Sequence, residues 1–248
     1  MSKLALVTGS SRGIGKAVAI TLAKDGFDII VHYINNKLKA GDVAKDIENL
    51  GRKAFIVQGD VSDEKDVSRI FKDILKFTDK LDVLVNNAGF DYGYMIEDYT
   101  LEQMKKVIDI TMFGKIAMTK YALPFLKKSK YPSIVNIASR MGGPTTIPTV
   151  GAYAPAEAGI IKFTQCCALE FAKYRIRVNC VAPGLTDTDM TRGIYPEDSF
   201  WQAKAESNPR GRVGNPQDHA NLISFLVSEK ADYITGDTIL VTGGSNLC

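Results

Sequence analysis

Residues 4–15 read LALVTGSSRGIG. Four apolar residues run into Thr8, then Gly9, Gly13 and Gly15 punctuate a turn that opens into KAVAITLAKDG, a stretch with helical periodicity. Glycines at those three positions let the backbone turn tightly and approach a pyrophosphate. The helix N-terminus beyond them offers N–H groups without helical partners and a partial positive charge. Glycine-rich turns are common, so the motif alone is weak. Its place between a first strand and a first helix makes it a candidate nucleotide-phosphate cradle.

Outward from that stretch the same alternation recurs. Apolar runs rich in valine and isoleucine lie at 27–33 (FDIIVHY), 54–58 (AFIVQ), 81–86 (LDVLVN), 133–139 (SIVNIAS), 176–183 (IRVNCVAP) and 237–244 (DTILVTGG). Between them are longer segments with helical spacing, such as Val43, Ile47 and Leu50, or Val67, Ile70, Ile74 and Phe77. Strand and helix in alternation predict an α/β fold, a doubly wound parallel sheet of about seven strands with helices on both faces. Strands this continuously apolar are expected to have no wet face. In such sheets ligands bind beyond the carboxyl ends of the strands, near the reversal of strand order, so functional residues should follow the strands.

A chain of 248 residues that is 45% hydrophobic can bury a substantial core, and no linker marks a division, so one domain over residues 1–248 is expected. The formal charge of +3 comes from 31 basic and 28 acidic residues spread along the chain, which implies neither a nucleic-acid patch nor a membrane face. The local excess at Lys127, Lys128 and Lys130 reads as a solvated helix end. Four cysteines, at 166, 167, 180 and 248, have neither metal-ligand nor disulfide-framework spacing. Reduced thiols and a cytoplasmic location are the expectation, with no metal site. The N-terminal KLALVTG is too short and too soon broken by glycine for a signal peptide or membrane span.

The second strand ends in VHYINNK. An acidic residue there would accept hydrogen bonds from ribose hydroxyls and repel a 2′-phosphate, whereas Tyr33, Ile34, Asn35 and Asn36 carry no charge. With Arg12 in the first loop, this favours NADP over NAD. The competing reading of Arg12 is a guanidinium that merely faces solvent.

These motifs occur with others in a fixed order: GDV at 59–61, NNAG at 86–89, Ser139, Tyr153, APG at 182–184 with Thr188, GRVGNPQD at 211–218 and GDTILVTGG at 236–244. Nearly end to end, the chain resembles the short-chain dehydrogenase/reductases, which have a single-domain Rossmann-like fold. VHYINNKLKA and APGLTDTDM look most like the 3-oxoacyl-acyl-carrier-protein reductases and their biosynthetic relatives. The resemblance implies that Gly9, Ser11, Arg12, Gly13, Ile14 and Gly15 hold the cofactor phosphates and ribose, and that Asp60 and Val61 border the adenine. It further implies that Asn87, Ala88, Gly89 and Tyr153 line the cofactor, with Pro183, Gly184 and Thr188 beside the nicotinamide. Each of these residues also fits a turn or packing role.

Carbonyl reduction by a nicotinamide needs a hydride on the carbon and a proton for the oxygen. The resemblance makes Tyr153 the acid and Ser139 the hydrogen-bond partner of the developing oxyanion. It also exposes two departures. The family's lysine four residues after the tyrosine, which binds the nicotinamide ribose and lowers the tyrosine's pKa, is here Glu157. The family's asparagine, part of a water chain to solvent, is here Thr111. A free tyrosine titrates near ~10; a neighbouring cation favours its ionised form and an anion disfavours it. A swing of ~2 pKa units corresponds to roughly 2.7 kcal/mol, or about a hundredfold in rate. Glu157 could hydrogen-bond ribose hydroxyls, relay protons as a neutral acid, or turn to solvent. Pro155 is tolerable in a first helical turn.

On the substrate side, Phe90, Tyr92, Tyr94, Met141 and Ile147 follow the fourth and fifth strands. Residues 185–208, with Met190, Tyr195, Phe200 and Trp201, occupy the family's lid position. A mostly apolar pocket for a small ketone or acyl thioester is expected, with Lys128, Lys130 and Lys173 available to steer an acidic carrier protein. By the same analogy a homotetramer is expected, through helices beginning near residues 100 and 153. Two alternatives to an NADP-dependent ketoreductase stay open: non-redox chemistry on the same fold, such as dehydration, isomerisation or cyclisation, and a cofactor-binding scaffold subunit.

Overall fold

The structure is a computed structural model that describes residues 2–247. Among these, β1 (Lys3–Val7), β2 (Phe27–Tyr33), β3 (Ala54–Gln58), β4 (Val83–Asn86), β5 (Ser133–Ile137), β6 (Arg177–Pro183) and β7 (Thr238–Val241) form one parallel sheet. Their spatial order is β3-β2-β1-β4-β5-β6-β7, so the chain reverses direction across the sheet between β1 and β4. The helices are α1 (Gly13–Lys24), α2 (Lys37–Asn49), α3 (Glu64–Leu75), α4 (Leu101–Ile108), α5 (Gly114–Leu126), α6 (Tyr153–Phe171), α7 (Asp189–Ile194), α8 (Asp198–Glu206) and α9 (Pro216–Val227).

Alternate residues of each strand face opposite cores, as period-2 geometry requires. Ala5 and Val7 join Ile29, Val31, Val85 and Val135 under α1, α2 and α9, while Leu4 and Leu6 join Ile30, Leu84 and Ile134 under α3, α5 and α6. Both faces are therefore covered, and the central strands are buried at nearly every position. The two edge strands differ from the sequence expectation. In β3, Ile56 is 43% exposed, and in β7, Leu240 is 39% exposed. An edge strand has a neighbour on one side alone, so apolar content does not guarantee full cover.

Other boundaries shift for local reasons. Phe77 lies past the end of α3, where it stacks on Phe55 of β3 at 4.2 Å instead of continuing the buried stripe. Leu50 is the C-cap of α2 and is exposed. Cys166 is exposed, Cys167 and Cys180 are buried, and all three are unbridged; Cys248 lies outside the described residues. Among the described residues no cluster of metal-ligating side chains occurs and no helix is long and apolar enough to cross a membrane.

Candidate active site

The cradle forms at the reversal point. Gly9 and Gly13 adopt φ of +63° and +56°, the left-handed region that glycine enters without strain. Gly15 is required for close approach instead: a Cβ there would lie 2.5 Å from both the Gly9 carbonyl and Asn87 Nδ2. Asn87 fastens the turn to β4, its Nδ2 donating to Thr8 O at 2.8 Å and Gly9 O at 3.2 Å. Thr8 Oγ1 accepts from the Asn87 and Ala88 amides. The cap position of α1 is Arg12, which makes no side-chain cap, whereas Asn36, Asp63, Thr100 and Asn215 cap α2, α3, α4 and α9. The first amides of α1 thus remain available to an anion, which fits the phosphates of a dinucleotide.

Sequence reasoning missed two supports of this cradle. Ser10 and His32 exchange bonds, Ser10 N–H to His32 O and His32 N–H to Ser10 Oγ, both at 3.0 Å. The buried imidazole of His32 accepts from the Gly9 amide through Nδ1 at 3.0 Å and donates through Nε2 to Gly59 O at 3.0 Å. Burial pushes its pKa down to about 4, so the neutral tautomer bridges the loops after β1 and β3. Beside them, Ser62 bonds Asp60 Oδ1, and Val61 packs against Gly114 of α5. Ile14 is partly buried against the core, and Ser11 and Gly89 lie past β1 and β4 at the same carboxyl end of the sheet. Arg12 and Lys39 both reach Asp189, at 3.5 and 2.8 Å, while the Arg12 side chain stays largely exposed to solvent. On the far side, Gly184 N–H bonds Val241 O, and Thr188 caps α7 through Thr191.

Ser139, two residues beyond β5, is buried, and its Oγ accepts the Met141 amide at 3.2 Å. Tyr153 opens α6, which places Pro155 in the first turn, where its missing N–H is harmless. The Ser139 hydroxyl lies close enough to the Tyr153 phenol to favour its ionised form. Their two elements press together at Gly142, where a Cβ would come within 2.7 Å of the Glu157 carbonyl carbon and the Ala158 amide. Burial and then the negative charge of the nearby Glu157 carboxylate hold Tyr153 well above the usual tyrosine range.

Glu157 does not turn to solvent; it is 1% exposed. Its partner is Lys115 of α5, whose Nζ lies 3.1 Å from Glu157 Oε2 and 2.5 Å from Ile137 O. Burial raises the Glu157 pKa, and Lys115 is the largest influence opposing that rise. Thr111 is fully buried in the π-helical turn Asp109–Phe113 between α4 and α5. Its Oγ1 accepts the Phe90 amide at 3.2 Å and donates to Phe90 O at 3.1 Å, fixing the loop after β4.

Asp91 is a further buried acid that the sequence reading passed over. It accepts from Tyr99 Oη at 2.7 Å, and burial raises its pKa. Around it Phe90, Tyr92, Tyr94 and Tyr99 form one aromatic cluster. Ile194 of α7 touches Gly93, Tyr195 stacks on Phe200, and Trp201 Nε1 donates to Tyr195 O. The segment expected as a lid is thereby in contact with the loop after β4.

A family model described as enoyl-(acyl carrier protein) reductase matches residues 9–246. The chain belongs to the short-chain dehydrogenase/reductase family. It is 36% identical to the 3-oxoacyl-(acyl-carrier-protein) reductase FabG of Staphylococcus aureus strain Mu50 over 244 residues, 98% of each chain. It is 37% identical to the FabG of Aquifex aeolicus, covering 98% of this chain and 96% of that one. Among solved structures, the Pseudomonas aeruginosa RhlG/NADP active-site complex superposes with a TM-score of 0.90 at 30% identity, covering 98% of this chain and 95% of the other. As a short-chain dehydrogenase/reductase the chain is an oxidoreductase, and its fold matches the sequence expectation.

Proposed function

We propose that this chain is an NADP-dependent reductase of a 3-oxoacyl thioester or a similar ketone. The observation that carries the reading is the pairing of Ser139 with Tyr153 in the segment after β5, at the same carboxyl end of the parallel sheet from which the uncapped start of α1 follows β1. Gly9, Ser11, Arg12, Gly13, Ile14, Gly15, Asn87, Ala88, Gly89, Pro183, Gly184 and Thr188 would hold the cofactor, with Asp60 and Val61 at its adenine end. A bound reduced nicotinamide supplies a hydride. Tyr153 donates its phenolic proton to the carbonyl oxygen, and the Ser139 hydroxyl stabilises the charge developing there.

NADP is supported by the lack of a carboxylate at the end of β2 and by Arg12 and Lys39, two cations that share the single carboxylate of Asp189. The 3-oxoacyl-(acyl-carrier-protein) reductase activity for which the FabG relatives are named supports a 3-oxoacyl thioester, delivered on an acyl carrier protein. Of the lysines expected to steer such a carrier, Lys128 is engaged by Asp79 at 2.8 Å. Assembly as a homotetramer is supported by Leu101, Phe113 and Leu169, large apolar side chains exposed on or beside α4, α5 and α6. Titration with NADPH and NADH, followed by turnover on a panel of 3-oxoacyl thioesters, tests the reading. Tighter NADPH binding with turnover is expected; absence of NADPH binding would sink it.

A further inference from the structure

Where family resemblance places a cation beneath the catalytic tyrosine, this chain has a carboxylate, and a lysine arrives from a different helix. Lys115 and Glu157 are each 2% exposed in their side chains. Neither charge tolerates burial alone, and removal of one leaves the other uncompensated. The Lys115 ammonium also bonds Ile137 O, two residues before Ser139, so it ties α5, β5 and α6 at one point.

We propose that Lys115 is the positioning residue of this site: its buried ion pair holds the Glu157 carboxylate one helical turn from Tyr153, so that an anion instead of a cation faces the phenol. The consequence is a tyrosine that keeps its proton from neutral to alkaline pH. The inference rests on the reductase reading for its consequence in turnover, though not for its geometry. The groups facing the pair are Tyr153 on α6, Ser139 after β5, Asp91 after β4 with its donor Tyr99, and Cys180 on β6. The carboxylates of Glu157 and Asp91 both disfavour a tyrosinate, while the Ser139 hydroxyl acts the other way. A 157-position ammonium would reverse the nearest of these influences.

In reduction, two electrons arrive with the hydride at the carbonyl carbon and the π pair moves onto oxygen. The Tyr153 O–H bond breaks to protonate that oxygen, and solvent returns a proton to the tyrosinate. A tyrosine kept protonated therefore starts every reductive cycle ready, and the reductive rate has no alkaline limb until the phenol ionises.

The test combines carbon-13 NMR of Tyr Cζ and Glu Cδ with kinetics. The Tyr153 resonance, identified by its loss in Tyr153→Phe, should not titrate up to pH ~10. The double exchange Lys115→Glu/Glu157→Lys keeps a neutral buried pair and turns an ammonium toward the phenol. Its Tyr153 midpoint should fall by at least about one pH unit, tenfold in ionisation. Lys115→Met alone should raise the Glu157 midpoint above ~7. An unmoved Tyr153 midpoint in the exchange, or an unmoved Glu157 midpoint in Lys115→Met, would overturn the proposal. With NADPH and a 3-oxoacyl thioester, kcat/KM should stay level from pH ~7 to ~9.5 in the unaltered chain and gain a falling alkaline limb in the exchange. Failure of every form to turn over would overturn the reductase reading alone, leaving the two resonances to judge Lys115.

Discussion

At Tyr153 the phenol is under two opposed influences: the buried Glu157 carboxylate disfavours its ionised form and the Ser139 hydroxyl favours it. A proton donor used on an alkoxide does not need a low pKa, because the alkoxide formed from a ketone is far more basic than a phenolate. Tyr153→Phe removes the proton and leaves the ring and its packing in place. Reductive turnover should fall by about 10²–10⁴-fold with NADPH affinity changed by less than about threefold, measured by steady-state kinetics and fluorescence titration. Equal loss of cofactor binding would place Tyr153 in binding instead of chemistry.

The elements set the distances on which this chemistry depends, and glycines measure how tightly. Gly142 allows the Ser139 loop to lie against α6; Gly142→Ala would place a methyl group 2.7 Å from helix backbone and push Ser139 away from Tyr153. A fall in kcat of at least about tenfold is expected, with NADPH affinity retained because the cradle lies on other loops. Gly41, inside α2, has nothing within 4 Å of its would-be Cβ. Gly41→Ala should therefore raise stability by about 0.5–1 kcal/mol, seen in the urea midpoint, with activity unchanged. The strands and the TGSSRGIG turn were legible because they follow local rules: apolar runs, glycine where backbone must approach backbone. Lys115 was not. In GKIAM it looks like an ordinary solvated lysine, yet it sits in the buried register of α5 with Met118, Thr119 and Ala122. Its register with those three residues was a signal; its partner, across the fold on α6, was not visible in sequence. The π-helical turn that sets the phase of α5 has no propensity signature either.

At the scale of the whole molecule, two neutral histidines link stability to pH. His32 joins β2 to the loops after β1 and β3, and His219 of α9 bonds Thr186 through Nε2 at 2.7 Å. Burial depresses both to about 4 from an ordinary 6.5. Between those values the unfolded chain binds protons that the folded chain refuses, so stability rises with pH across the window. The contribution is complete above pH ~6.5 and is lost as pH falls toward ~4, amounting to about 3 kcal/mol for each histidine. Urea unfolding at intervals from pH 7.5 to 4.5 should show that loss. His32→Asn should be less stable at pH 7.5, because Gly9 and Gly59 lose their shared partner, and should show about half the slope below pH 6.5. An unchanged slope would mean that His32 already titrates normally in the folded chain. The imidazole bridge would then be too weak to hold the phosphate cradle in register with the sheet.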